Sequence, residues 1–164
     1  MGNKKKKIIL WLLLAAWMAL IFSFSAMAAP ASDELSGGVA QKVIKIVAPG
    51  FGSFSGDEQA EFFYTINYGI RKIAHASEYA VLGILALLVL LSYKKTLRFQ
   101  VLAALLLCAA YAASDEAHQI LVSGRSPQVT DVLIDTAGAA IGIAILLLFR
   151  RLFIRRKQKK LANI

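Results

Sequence analysis

Four apolar runs divide this chain, and each is long enough to cross a bilayer as a helix, which takes about 20 residues. They run from Ile8 to Ala29, Ile73 to Tyr93, Phe99 to about Ala117, and Val132 to Phe149. Between the first two lies an outer loop, residues 30–71, with a periodicity of its own. Ser32 stands where it can cap a helix over Asp33 and Glu34. Leu35, Val39, Val43 and Ile46 or Val47 follow at a spacing near 3.6, with Lys42 and Lys45 among the polar positions. This fits a short amphipathic helix on the outer membrane surface, and fits packing on the other helices equally well. Pro49-Gly50-Phe51-Gly52-Ser53 breaks the pattern, and Asp57-Glu58 then opens a second helix. That helix carries Phe62, Phe63, Ile66 and Ile70 and can run directly into the second span. The expected fold is all-α: a single polytopic membrane domain over residues 1–164, with a cytoplasmic tail over residues 150–164.

The first run has a second reading. Lys4 to Lys7, an apolar stretch and Ala26-Met27-Ala28 are arranged like a secretory signal with its cleavage site. The stretch exceeds the ~7–15 residues of a signal core, which favours a retained span.

Composition agrees with the pattern. A mean hydropathy of +0.62 with 58% hydrophobic residues leaves little chain for a separate soluble domain. The net charge of +9 raises nucleic acid as a partner, but its distribution argues against that. Most of the 19 Lys and Arg lie in three clusters: Lys4 to Lys7, Lys94 to Arg98, and Arg150 to Lys160. With four spans all three fall on one side, which the positive-inside rule makes cytoplasmic, so both termini are expected inside. The basic excess is a topology signal with some attraction to anionic lipid headgroups. The one cysteine, Cys108, lies mid-span and has no internal partner for a disulfide.

Against this apolar background the ionisable residues are costly and informative. In the second span Lys72, His75 and Tyr79 share a helix face, with Glu78 three residues after His75 and Arg71 beside Lys72. In the third, Tyr111, Asp115, His118 and Gln119 share a face, with Glu116 adjacent. In the fourth, Asp131 and Asp135 lie on one stripe with the GxxxG pair Gly138 and Gly142, which lets another helix approach closely. Arg125 occupies the short connection between the last two spans. All these groups lie at the outward ends of their spans and can converge on one pocket. The plain alternative is mutual neutralisation, with Arg71, Lys72 or Arg125 paired to Glu78, Asp115, Glu116, Asp131 or Asp135. The acids outnumber those bases, so some carboxylates are left to be protonated, hydrated or ligand-bound.

Two sharper chemistries are open. His75, Glu78, Asp115, Glu116 and His118 offer metal-ligand types, but no HExxH or Cys/His spacing accompanies them, so neither a metal nor another cofactor is expected. A histidine beside carboxylates could act as a general base on a headgroup. Ser126 has no G-x-S-x-G or S-x-x-K context, and a Gly-Arg-Ser-Pro turn is the plainer reading.

The series Arg71-Lys72-x-x-His75-x-x-Glu78-Tyr79-x-x-Leu82-Gly83, then Asp115-Glu116-x-His118-Gln119, Gly124-Arg125 and Asp131-Val132-x-x-Asp135-x-x-Gly138-x-x-x-Gly142, resembles the VanZ-like family of bacterial membrane proteins. The resemblance covers about residues 71–145; Ser126-Pro127 departs from the small residues usual after the arginine. It implies residence in the bacterial cell membrane and a cell-envelope role, with the family's name tied to lowered susceptibility to teicoplanin-type glycopeptides. On this basis Arg71, Lys72, His75, Glu78, Tyr79, Asp115, Glu116, His118, Gln119, Arg125, Asp131 and Asp135 are expected to form a ligand-binding pocket. Membrane lipids, a lipid-linked envelope precursor or a glycopeptide antibiotic are the expected partners. The alternatives are an enzyme modifying such a precursor, with His75 or His118 as base, and a non-catalytic scaffold of envelope machinery.

Overall fold

The computed structural model describes residues 3–27, 29–124 and 128–162, and their regular structure is helical. Helix α1 covers Asn3–Ser25, α2 Ala29–Val47, α3 Gly56–Leu91, α4 Leu97–Gln119 and α5 Val129–Ala162. Four of them, α1, α3, α4 and α5, are long and apolar enough to cross a membrane. Helix α3 has 36 residues, about 54 Å at 1.5 Å per residue, so it overshoots a bilayer core of about 30 Å. The helix that opens at Asp57-Glu58 and the second span are therefore one continuous rod. Its start is set by a capping box: the Ser55 side chain accepts from the Glu58 backbone N–H, and Glu58 accepts from the Ser55 N–H. Thr96 caps α4 through Phe99 N–H in the same manner.

Helix α2 begins at Ala29, earlier than its polar residues suggest, so Ser32 lies inside its first turns rather than at its start. Pro30 is compatible with that early start, because a proline in the first turn removes an N–H that has no helical partner anyway. The stripe that α2 turns inward is built mainly of small residues. Gly37, Ala40 and Ile44 are buried, while Leu35, Val39, Ile46 and Val47 stay exposed. Small residues let α2 lie close on α3, with the Phe63 ring against Gly37. Ile46 and Val47 face outward, as a membrane-surface helix requires, while Leu35 and Val39 border a crevice against α3.

The bundle is organised on α3 and α5, which run parallel and make the most extensive pairing. A Cβ at Gly138 would strike the Ala76 backbone, one at Gly142 the Ala80 backbone, and one at Gly83 the Ala139 backbone. In a bilayer no hydrophobic gain separates helix from lipid, so close backbone approach supplies the attraction instead. Helix α4 runs antiparallel to both, and α1 packs on α3 and α4, burying Leu14, Ile21 and Ser25. Ile8, Leu12, Leu102, Leu106, Leu133 and Leu148 are exposed on the outer faces, as suits lipid contact.

The three basic clusters gather at one end. Lys7 lies over the Tyr93 ring at 4.4 Å, and the Trp11 indole donates to the Tyr93 hydroxyl at 3.0 Å. The Gln100 amide donates to the Leu90 and Tyr93 carbonyls, tying the α3–α4 turn. The opposite end carries the acidic residues.

Candidate functional site

The acidic end is built where α3 enters the bundle. Its stripe Tyr64, Tyr68, Arg71, Lys72 and His75 lies against the end of α4 and the start of α5, around a polar chamber of about 210 Å³ completed by Gln119, Gly124, Gln128 and Asp131. The first two positions are aromatic: Tyr64 and Tyr68 stack at 6.3 Å between centroids, and the Lys72 ammonium lies 4.8 Å from the Tyr68 ring. Lys72 also pairs with Asp131, which joins α3 to the first turn of α5. Both side chains are mostly withdrawn from solvent, at 17% and 24% exposure, so this pair cannot be broken as cheaply as a surface one.

Arg71 takes a partner from outside the set that its sequence neighbourhood suggested. It bonds Asp33 of α2 at 2.6 Å and so latches α2 to α3. Below that latch lies a second cavity of about 250 Å³, between α2, α3 and the end of α1. Phe24, Leu35, Val39, Ile70 and Ala74 give it apolar walls, and Arg71, His75 and Glu78 give it a polar side. Arg71 and His75 therefore line both spaces.

Underneath, the carboxylates crowd. Asp115, Glu116 and Asp135 are buried, and Asp135 lies within electrostatic reach of Asp115, Asp131, Glu116 and Glu78. Glu116 accepts from the Gln128 backbone N–H and so fixes the approach to α5. Tyr79, fully buried, packs its ring 6.2 Å from Tyr111 and lies beneath the chamber rather than in its wall. Buried with no hydrogen-bond partner among the described residues are Tyr79 Oη, Glu78 Oε2 and Asp135 Oδ1. Among the described residues no three of His, Cys, Asp and Glu come together in an arrangement that would hold a metal ion.

The α4 face of Tyr111, Asp115, His118 and Gln119 forms as the spacing predicts, but most of it is turned toward α1. The Tyr111 hydroxyl donates to the Met18 carbonyl at 2.6 Å, and the Gln119 amide to the Ser25 hydroxyl at 3.1 Å. The His118 ring lies 4.5 Å from that of Phe22. His118 lines neither cavity, whereas Gln119 reaches the chamber. Arg125 lies outside the described residues. Sequence reasoning passed over Asp33, Tyr64, Tyr68, Gln128 and Ser25. The tyrosines carried a usable signal, since 64, 68, 71, 72 and 75 continue one helical stripe. Asp33 and Ser25 carried none, because their partners are distant in sequence.

No curated protein matches this chain, and no solved structure does. The family comparison is positive: the match runs over residues 10–150 and so takes in α1, whose contacts with Glu78, Tyr111 and Gln119 make it part of the same bundle. A polytopic helical membrane protein with its acidic residues gathered at one end, the chain belongs to the VanZ/LLP1 family.

Proposed function

We propose that this protein binds an amphipathic, lipid-linked molecule of the bacterial cell envelope, or an acylated glycopeptide of the teicoplanin type, and thereby lowers susceptibility to such antibiotics. One observation carries this reading: Arg71 and His75 are shared by a polar chamber and an apolar crevice. A headgroup in the chamber and a chain in the crevice would then be continuous across those two side chains. Arg71, Lys72 and Arg125 supply positive charge for phosphate or carboxylate, and the carboxylates position them. The tyrosines add stacking surface for a sugar or peptide ring. In the same reading the protein sits in the cell membrane with both termini cytoplasmic, and the chamber opens to the outside.

A second reading, an enzyme acting on a lipid-linked precursor, is favoured by the position of His75 between the two spaces, beside Glu78. His75 is then the base, because His118 faces Phe22 instead. Incubating the purified protein with labelled lipid-linked precursor separates the readings. Saturable binding without turnover is the expected result; turnover assigns an enzyme, and neither returns the protein to a scaffold role.

A further inference from the structure

At the far end of the bundle from the chamber, α3 stops at Leu91 while α5 runs on to Ala162. Where Gly138 and Gly142 meet Ala76 and Ala80 the two backbones touch. The same parallel register, carried forward, brings Leu88 and Leu91, at the end of α3, opposite Arg150 and Phe153 of the continuing α5. The result is a cavity of about 480 Å³. Leu88, Leu91, Leu146, Phe149 and Phe153 give it apolar walls, and Arg150 and Arg156 stand over it. Arg156 is about 9 Å further along the helix axis than Arg150, by the rise per residue.

Its depth gives the cavity a meaning. From Val132 to Ile154 is about 34 Å of helix, longer than the ~30 Å hydrocarbon core. Leu152, Phe153 and Ile154 therefore reach the level of the lipid headgroups, where exposed apolar side chains would ordinarily be replaced by polar ones. Phe153 is nonetheless 72% exposed, between Arg150-Arg151 and Arg155-Arg156. Alternating arginine and large apolar residues at that level match an amphiphile with an anionic head, whose chain can lie on the leucines while its phosphate meets guanidinium.

We infer that the α3–α5 crevice at the basic end is a site for one anionic glycerophospholipid, its acyl chain against Leu88, Leu91, Leu146 and Phe149 and its phosphate on Arg150 and Arg156. The site is independent of the chamber at the other end. It gives α5 a lipid partner where it runs past the end of α3.

The test uses the delipidated full-length protein, titrated with phosphatidylglycerol or phosphatidylcholine of identical chains and read by native mass spectrometry. The expected result is one phosphatidylglycerol bound at least tenfold more tightly than phosphatidylcholine. Arg150→Gln with Arg156→Gln removes that preference, and Lys4→Gln with Lys5→Gln, at another basic cluster, does not. Leu88→Trp, which fills the crevice and leaves both arginines intact, also weakens the tight binding, and it answers the question should the double arginine variant fail to fold. Equal affinity for the two lipids in the wild type overturns the site. So does equal weakening by the Lys4 and Lys5 changes, which would show only a general attraction to basic surface. Tight binding that survives Leu88→Trp overturns it as well.

Discussion

Arg71 and Asp33 form an ion pair with side chains 27% and 49% exposed, a setting in which such a pair contributes roughly 0–1 kcal/mol. The contact therefore does little for overall stability, and its value lies in holding α2 over the crevice. Asp33→Asn should leave the Tm nearly unchanged while weakening binding of a chain-bearing ligand more than that of its water-soluble headgroup. Equal loss for both would detach the latch from the crevice. Arg125 poses a related question. If it only neutralises an acid, Arg125→Lys is nearly silent and Arg125→Ala lowers the Tm. If it grips phosphate or carboxylate with its planar fork, both changes impair function while expression and Tm stay near wild type, because lysine's point charge cannot copy bidentate bonds. Measuring Tm and antibiotic susceptibility together on the two variants decides it, and the ligand role is the expected outcome.

For the helices, the decisive contact is the glycine seam. A methyl group on Gly138 or Gly142 meets backbone of α3 rather than the end of a flexible side chain, so relief requires the helices themselves to separate. Gly142→Ala should cost about 1–3 kcal/mol, the usual range for overpacking a well-fitted interface. Thermal unfolding in detergent should show it, with Gly38→Ala, which meets nothing within 4 Å, as the neutral control. Because Asp131 and Asp135 stand on the same α5 stripe, parting the seam would also displace the carboxylates. Function should then fall faster than stability.

For the whole molecule, charge distribution and packing agree on which ends belong together. Lys7, Tyr93 and the α3–α4 turn meet at one end, and the acids at the other. Which end faces the cytoplasm follows from the positive-inside rule and is open to direct measurement. Cysteines placed singly at Lys95 and Gly52 in a Cys108→Ser background should label oppositely with an impermeant thiol reagent in intact cells. Position 52 suits the label because a side chain there has open space. Labelling at position 95 from outside would reverse the topology and place the chamber in the cytoplasm.

Hydropathy and helical period were enough to determine the four spans, the helix opening at Asp57-Glu58 and the shared face of Lys72 and His75. Each depends on residues within a few turns of one another. The same local rules place the start of α2 too late and leave open whether its large apolar stripe meets lipid or protein. In a bilayer periodicity cannot choose between them: lipid accepts Leu35 and Val39 as readily as a neighbouring helix does, and the small Gly37 and Ala40 make the close contact. Periodicity states which residues share a face and is silent on what that face meets. Only the tertiary structure decided that Arg71 would find Asp33 38 residues away, that Gln119 would reach Ser25 across 94, and that His118 would turn from the carboxylates to Phe22. Those pairings depend on how α1 and α2 dock against α3 and α4, a long-range packing outcome that no local spacing encodes.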